Sequence, residues 1–114
     1  MQRILIIGDK NLDINTFVGL KYEDEIKSYM VSDMEVQIRK NDEIIKVEPV
    51  NNMLNEFSDD EKQKIPFESP KIVILTYSSD EFLREVLDKL DTKDELLFDD
   101  FSNIMSYKDI LEKI

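Results

Sequence analysis

Residues 71–90, KIVILTYSSDEFLREVLDKL, decide how the rest of the chain is read. Ile72, Val73, Ile74 and Leu75 form an unbroken apolar run rich in β-branched side chains. A half-exposed strand alternates apolar and polar residues. A continuous run bounded by turn signals is expected of a strand covered on both faces, as in a parallel sheet. Pro70 stops what precedes it, and Thr76 and Tyr77 carry the strand to Ser78. Ser78 and Glu81 have the spacing of a capping box, and Asp80 with Glu81 puts negative charge where the helix dipole favours it. Phe82, Leu83, Val86, Leu87 and Leu90 fall on one helical stripe. The stretch therefore predicts a strand, a tight turn and a helix that folds back over its own sheet.

Working outward, residues 3–8, RILIIG, read as a second strand of the same fully apolar kind, ended by Gly8-Asp9. Asn11 or Asp13 can cap a short helix through Phe17, with Gly19 as its stop. A helical piece is expected over Tyr22–Met30, with Tyr22, Ile26, Tyr29 and Met30 on one face. Residues 34–48 read as a β-hairpin about Asn41-Asp42. Its register sets Ile38 against Ile45, Val36 against Val47, Gln37 against Lys46 and Arg39 against Ile44. Met34 extends the apolar face, and Glu35 opposes Glu48. Asn51–Phe57 looks helical, Ser58 and Glu61 repeat the capping spacing, and Ile65-Pro66 ends that piece. Glu95–Phe98 is a last short strand, Asp99–Met105 a loop, and Ser106 with Asp109 caps a terminal helix carrying Ile110, Leu111 and Ile114. The predicted order is β-α-β-β-α-β-α-β-α. It implies one α/β domain over residues 1–114, with a mostly parallel sheet of flavodoxin- or Rossmann-like kind, one hairpin, and helices packed on the sheet.

The chain has 114 residues, no cysteine and no histidine. Disulfides, thiol nucleophiles, Cys-ligated metals and every Ser-His or Cys-His arrangement are excluded. These absences argue against an enzyme. No apolar run approaches membrane-spanning length, and MQRILIIGDK lacks the form of a signal peptide, so a cytoplasmic, monomeric protein is expected. The net charge is −11, with −3 on residues 1–50 and −8 on residues 51–114. Such a field repels a nucleic acid and steers a basic protein inward.

In an open α/β sheet, ligands gather beyond the carboxyl ends of the strands. That rule would bring together Asp9, Asp13 and Asp99 as candidate Mg²⁺ ligands, with Thr76, Tyr77 and Ser78 beside them, and so leaves a Mg²⁺-dependent phosphoryl enzyme as one alternative function. No metal or cofactor is assigned, however. GDKNLD lacks the glycines of either nucleotide-binding fingerprint.

Three resemblances add to this. ILIIGDKNLDI resembles the first strand of ribokinase-type sugar kinases, without their length or anion-hole motif. IVILTYSSDEF resembles the fourth strand of response-regulator receiver domains, with Thr76 in place of the switch hydroxyl and Asp9 in place of the acidic pair. The phosphoacceptor aspartate and the Lys-Pro pair after Phe98 are missing, so the resemblance implies a signalling scaffold acting through protein contacts without phosphorylation. LLFDDFSNIMSYKDILEKI resembles the tail of small bacterial immunity proteins, in an acidic pair and an aromatic, a small polar turn and a capped helix. Ser102 stands where a glycine is expected. This last resemblance implies a non-catalytic module that binds and neutralises a basic, nuclease-type toxin. Its interface would draw on Tyr77, Asp94, Glu95, Asp99, Asp100 and Phe101.

Overall fold

The computed structural model of the chain describes residues 1–20, 22, 25–51 and 56–114. Its strands are β1 (Gln2–Gly8), β2 (Lys27–Ser32), β3 (Glu35–Lys40), β4 (Glu43–Val50), β5 (Lys71–Tyr77), β6 (Leu97–Asp99) and β7 (Ile104–Met105). Its helices are α1 (Asp59–Gln63), α2 (Asp80–Asp88) and α3 (Tyr107–Leu111), with short 3-10 turns at Ile14–Phe17 and Lys93–Glu95. The strands form one sheet in the order β2-β3-β4-β5-β1-β6-β7. Every neighbouring pair is antiparallel.

This corrects the expected mostly parallel, flavodoxin- or Rossmann-like α/β fold. The protein is mainly antiparallel β with three small helices. The apolar runs that suggested a parallel sheet do mark strands buried on both faces, but direction is not part of that signal. Ile4, Ile6, Val73 and Leu75 point to an inner face covered by α2, α3 and the turn at Ile14–Phe17. Leu5, Ile7 and Ile72 point to an outer face, where they pack with Phe57, Ile65, Phe67 and Ile104. The segment between β4 and β5 thus supplies a second layer, which is why β1 and β5 cannot afford polar alternation.

The stretch at 71–90 forms its predicted strand and helix. Phe82, Leu83, Val86, Leu87 and Leu90 are buried on the sheet. Helix α2 then returns the chain to β6, which runs in the same direction as β5. Strand β1 lies between them and antiparallel to both. The unit is a split β-α-β. The sequence of β5-α2-β6 alone contains nothing about the inserted strand.

The hairpin register is as expected at Ile38↔Ile45, Val36↔Val47, Gln37↔Lys46 and Arg39↔Ile44. Asn41 takes the positive φ of 53° that its turn requires. The helix expected over 22–30 is replaced at its C-terminal end by edge strand β2, while residues 23 and 24 lie outside the described ones. Of its proposed face, Ile26 is buried, whereas Tyr29 and Met30 are exposed. Met34, expected on the apolar face, is exposed in the β2–β3 turn. Most of the helix expected at Asn51–Phe57 falls on residues 52–55, also outside the described ones. The Ser58–Glu61 capping box is formed in both directions, Glu61 N donating to Ser58 Oγ at 3.2 Å and Ser58 N to Glu61 Oε1 at 2.9 Å. The cap of α2 is shifted by one residue. Ser79 accepts from Phe82 N at 3.2 Å. Ser78 instead bridges strands, accepting from Ile44 N and donating to Glu43, both at 3.0 Å.

Candidate protein-binding site

Strands β6 and β7 meet at a hairpin whose tip is Asp100–Asn103. Pairing of Phe98 with Met105 and of Asp99 with Ile104 brings the two strands to it. Two aspartates build the tip from below. Asp99 Oδ1 accepts from Phe101 N at 2.8 Å. Asp100 Oδ1 accepts from Ser102 N and Asn103 N, each at 2.9 Å, and Asp100 N donates to Asn103 O at 3.4 Å. Short acidic side chains that bond two residues onward are natural turn formers. Between them Phe101 is held at φ 72°, a left-handed conformation that a bulky side chain rarely adopts. The residue is 52% exposed. The local structure therefore spends backbone strain to present an aromatic ring to solvent beside a carboxylate.

The two aspartates differ electrostatically. Asp99 is 5% exposed. Burial pushes its pKa up, the Phe101 N–H pulls it down, and the Glu61 and Asp100 charges raise it further. At Asp100, slight burial pushes up, but the Asn103 and Ser102 N–H groups and the Lys113 ammonium outweigh it, so its pKa lies below the ordinary range. Lys113 Nζ sits 3.4 Å from Asp100 Oδ2 and ties the tip to the segment after α3.

Of the six residues named from sequence, Asp99, Asp100 and Phe101 come together at this tip. Asp99 is its buried support and Phe101 its exposed point. Tyr77 is 3% exposed, its hydroxyl donating to Gln2 Oε1 at 3.0 Å. Burial first, then the Asp80 and Asp100 charges, raises its pKa. It backs a shallow groove of about 340 Å³ that Asp100, Arg3 and Lys113 also line, and presents almost no surface of its own. Asp94 and Glu95 are exposed but lie on the turn before β6. Glu95 is five residues from Asp100, roughly 16 Å along an extended chain. They form a separate acidic end.

The antiparallel register also separates the carboxylates proposed for Mg²⁺. Asp9 follows Gly8, which pairs with Lys71, whereas Asp99 pairs with Leu5 further back along β1. Asp9 and Asp13 are engaged locally, accepting from Asn11 N at 2.8 Å and Asn15 N at 2.5 Å. Among the described residues, no three His, Cys, Asp or Glu side chains are placed to hold a metal ion. A cleft of about 570 Å³ that Asp13, Asp33, Glu68 and Lys71 help to line does not gather them into one. Among the described residues, no helix is long and apolar enough to cross a membrane.

Two features were missed in the sequence. The strain at Phe101 had a signal, since the run Asp-Asp-Phe-Ser-Asn carries turn formers on both sides of an aromatic. The exposed group Tyr29, Met30, Val31 and Met34 was hidden by the expectation of a helix.

No protein-family model matches the chain. Comparison with curated proteins and with solved structures likewise found no match.

Proposed function

We propose that this chain is a non-catalytic protein-binding module that neutralises a basic, nuclease-type toxin by direct contact, in the manner of an immunity protein. The observation that carries the reading is Phe101, strained and half exposed at the tip of the β6–β7 hairpin, with Asp100 beneath it. An exposed aromatic next to a carboxylate suits a basic partner: the ring supplies contact area, and the charge supplies steering and pairing. The net charge of −11 adds a long-range field of the same sign, and a nuclease surface is basic because it must bind a polyanion. Such a role requires no histidine, cysteine or metal. The receiver-like alternative loses its support with the parallel sheet, and the Mg²⁺-dependent one with the separation of Asp9 from Asp99.

The test is rescue. Cells arrested by a toxin domain encoded beside this chain are expected to recover when it is co-expressed. The double variant Phe101→Ala, Asp100→Lys is expected to lose rescue while keeping a dispersed NMR spectrum. Asp99 is unsuitable for this purpose, because charge reversal there would put an unpaired ammonium into a buried position. Normal rescue by the double variant removes the hairpin from the interface.

A further inference from the structure

The far edge of the sheet carries a surface that the hairpin site does not use. Strand β2 pairs with β3 on one side and, among the described residues, with no strand on the other. Part of its backbone N–H and C=O groups therefore faces outward, as at any sheet edge. Tyr29, Met30, Val31 and Met34, four of the six exposed large hydrophobics among the described residues, lie in it or just after it.

The outer face beside this edge is cationic at one corner, Lys27 and Arg39, while Glu35, which accepts from Gln37 Nε2 at 2.6 Å, and Glu48 stand on the same face toward the β2–β3 turn. Lys27 stands directly opposite Arg39, a like-charge pair that costs stability in the protein alone. The next row on the same face runs from Tyr29 through Gln37, Lys46 and Thr76 to Arg3. Among the described residues, the ion pairs fall to Lys40 and Lys113, and none to Lys27, Arg39, Lys46 or Arg3. Arg39 leans toward the edge. Its Nε donates to Tyr29 Oη at 3.0 Å and to Gln37 Oε1 at 3.2 Å, which leaves the two terminal guanidinium nitrogens to bond elsewhere. A chain of net charge −11 thus keeps one cationic corner, next to its open edge.

We propose that β2 is the docking edge for a short acidic segment of another protein, which adds to the sheet as a further strand. Its backbone pairs with the free groups of Lys27–Met30. A carboxylate on its outer face meets Lys27 and the Arg39 guanidinium, and an apolar residue on its inner face covers Met30. The register shift between Met30 and Ser32 bends the strand and ends the regular ladder, so the segment is short. The occupant follows from the charges. A second copy of the chain would bring its own edge, KSYMVS, which has a cation and no acid to offer. A nucleic acid has no peptide backbone with which to continue the ladder and meets the repulsion of the whole molecule. Strands β2 and β7 are at opposite edges of the sheet, roughly 29 Å apart at about 4.8 Å per strand. The acidic segment and the basic partner of the hairpin can therefore bind together, and neither reading depends on the other.

The probe is a capped, fluorescent hexapeptide alternating Glu and Val, titrated by anisotropy against the whole chain at low and moderate salt, with a Lys and Val version as control. Expected are saturable binding of the Glu peptide alone, weakening with salt, and amide shifts concentrated in Lys27–Ser32 and at Arg39. The pair Lys27→Glu, Arg39→Glu is expected to cut affinity at least about tenfold, as two lost charge pairs would, with the fold kept by NMR. Phe101→Ala is expected to leave the affinity unchanged. Equal binding of the Lys peptide, no saturation, or an unchanged affinity in the double variant overturns the proposal. So does a doubled mass in sedimentation that Tyr29→Lys abolishes, because the occupant would then be a second copy.

Discussion

The carboxylate of Asp99 is buried beneath the hairpin tip, and its Oδ1 accepts the backbone N–H of Phe101 at 2.8 Å. That bond fixes a backbone turn in which Phe101 has φ 72°. A buried acid thus holds an exposed aromatic in a conformation its side chain disfavours. The acid is the buried last residue of β6, and the residue it holds is the exposed tip of the hairpin.

The strain is measurable. At an ordinary exposed position alanine is at least as favourable as glycine. At a left-handed position the order reverses, since only glycine escapes the Cβ clash, by about 1 kcal/mol. Phe101→Gly is therefore expected to unfold at higher urea than Phe101→Ala, with both variants equally defective in rescue. Equal urea midpoints would show that the tip relaxes when the ring is removed.

Asp99 and Asp100 predict opposite pH dependences. The pKa of Asp99 is raised in the folded protein, above the ordinary 3.8. Its ionisation therefore opposes folding at neutral pH, and that penalty is relieved as pH falls through the raised value. The pKa of Asp100 is lowered from 3.8. Its contribution is present above 3.8 and is lost as pH falls through the folded value. Asp99→Asn keeps an acceptor for Phe101 and is expected to stabilise the protein at pH 7, with the gain shrinking toward pH 4. Asp100→Asn is expected to cost a few tenths to about 1 kcal/mol at pH 7, because its partner Lys113 is solvent-screened, and progressively less as pH falls below 3.8 through the folded value. Urea titrations at several pH values separate the two.

The same run of sequence that misdirected the fold was read correctly as far as its physics goes. Ile4–Ile7 and Ile72–Leu75 demand cover on both faces, and they have it. Nothing in them states whether the neighbouring strand is parallel. The choice fell to parallel because helical cover on both faces is the commonest way to bury a strand fully. Here the second cover comes from Phe57, Ile65 and Phe67, in a segment without the long periodicity that would announce a layer. The hairpin expected at 34–48 was legible from Glu35 onward, though not at Met34, because turn chemistry and alternation fix its register locally. Strand β2 was not, because an edge strand with mixed polarity and acids before it carries the same marks as a helix start. The hairpin tip was legible as residues but not as geometry. Asp99, Asp100 and Phe101 were singled out together, yet which one is buried depends on Leu5 of β1, from the other end of the chain.

Two-sided burial makes a prediction that a half-wet strand would fail. Ile4 faces the inner layer and Leu5 the outer, and both are essentially inaccessible. Ile4→Ala and Leu5→Ala are each expected to cost about 2–5 kcal/mol. In β3, by contrast, Ile38→Ala should fall in that range, while its neighbour Gln37→Ala, which removes hydrogen bonds to Glu35 and Arg39 on the half-exposed face but leaves no cavity, should cost about 1 kcal/mol. Denaturant unfolding of the four variants checks this. A cheap Leu5→Ala would mean that the layer formed by Phe57, Ile65 and Phe67 is loose.

The two serines at the end of β5 separate a cap from a cross-strand link. Ser79 Oγ accepts from Phe82 N and also donates to Glu43, so Ser79→Ala removes the cap of α2 and is expected to cost about 1 kcal/mol. Ser78 Oγ joins Ile44 N to Glu43 and makes no bond to the helix. Ser78→Ala leaves Ile44 N facing solvent at an exposed position, where water replaces the lost partner, and is expected to cost less. Amide exchange gives the sharper contrast. Ser79→Ala should speed exchange at Phe82 and in the first turn of α2, whereas Ser78→Ala should speed it at Ile44 and leave the helix unchanged. Faster exchange in α2 from the Ser78 variant would return the cap to the position that the S-x-x-E spacing first suggested.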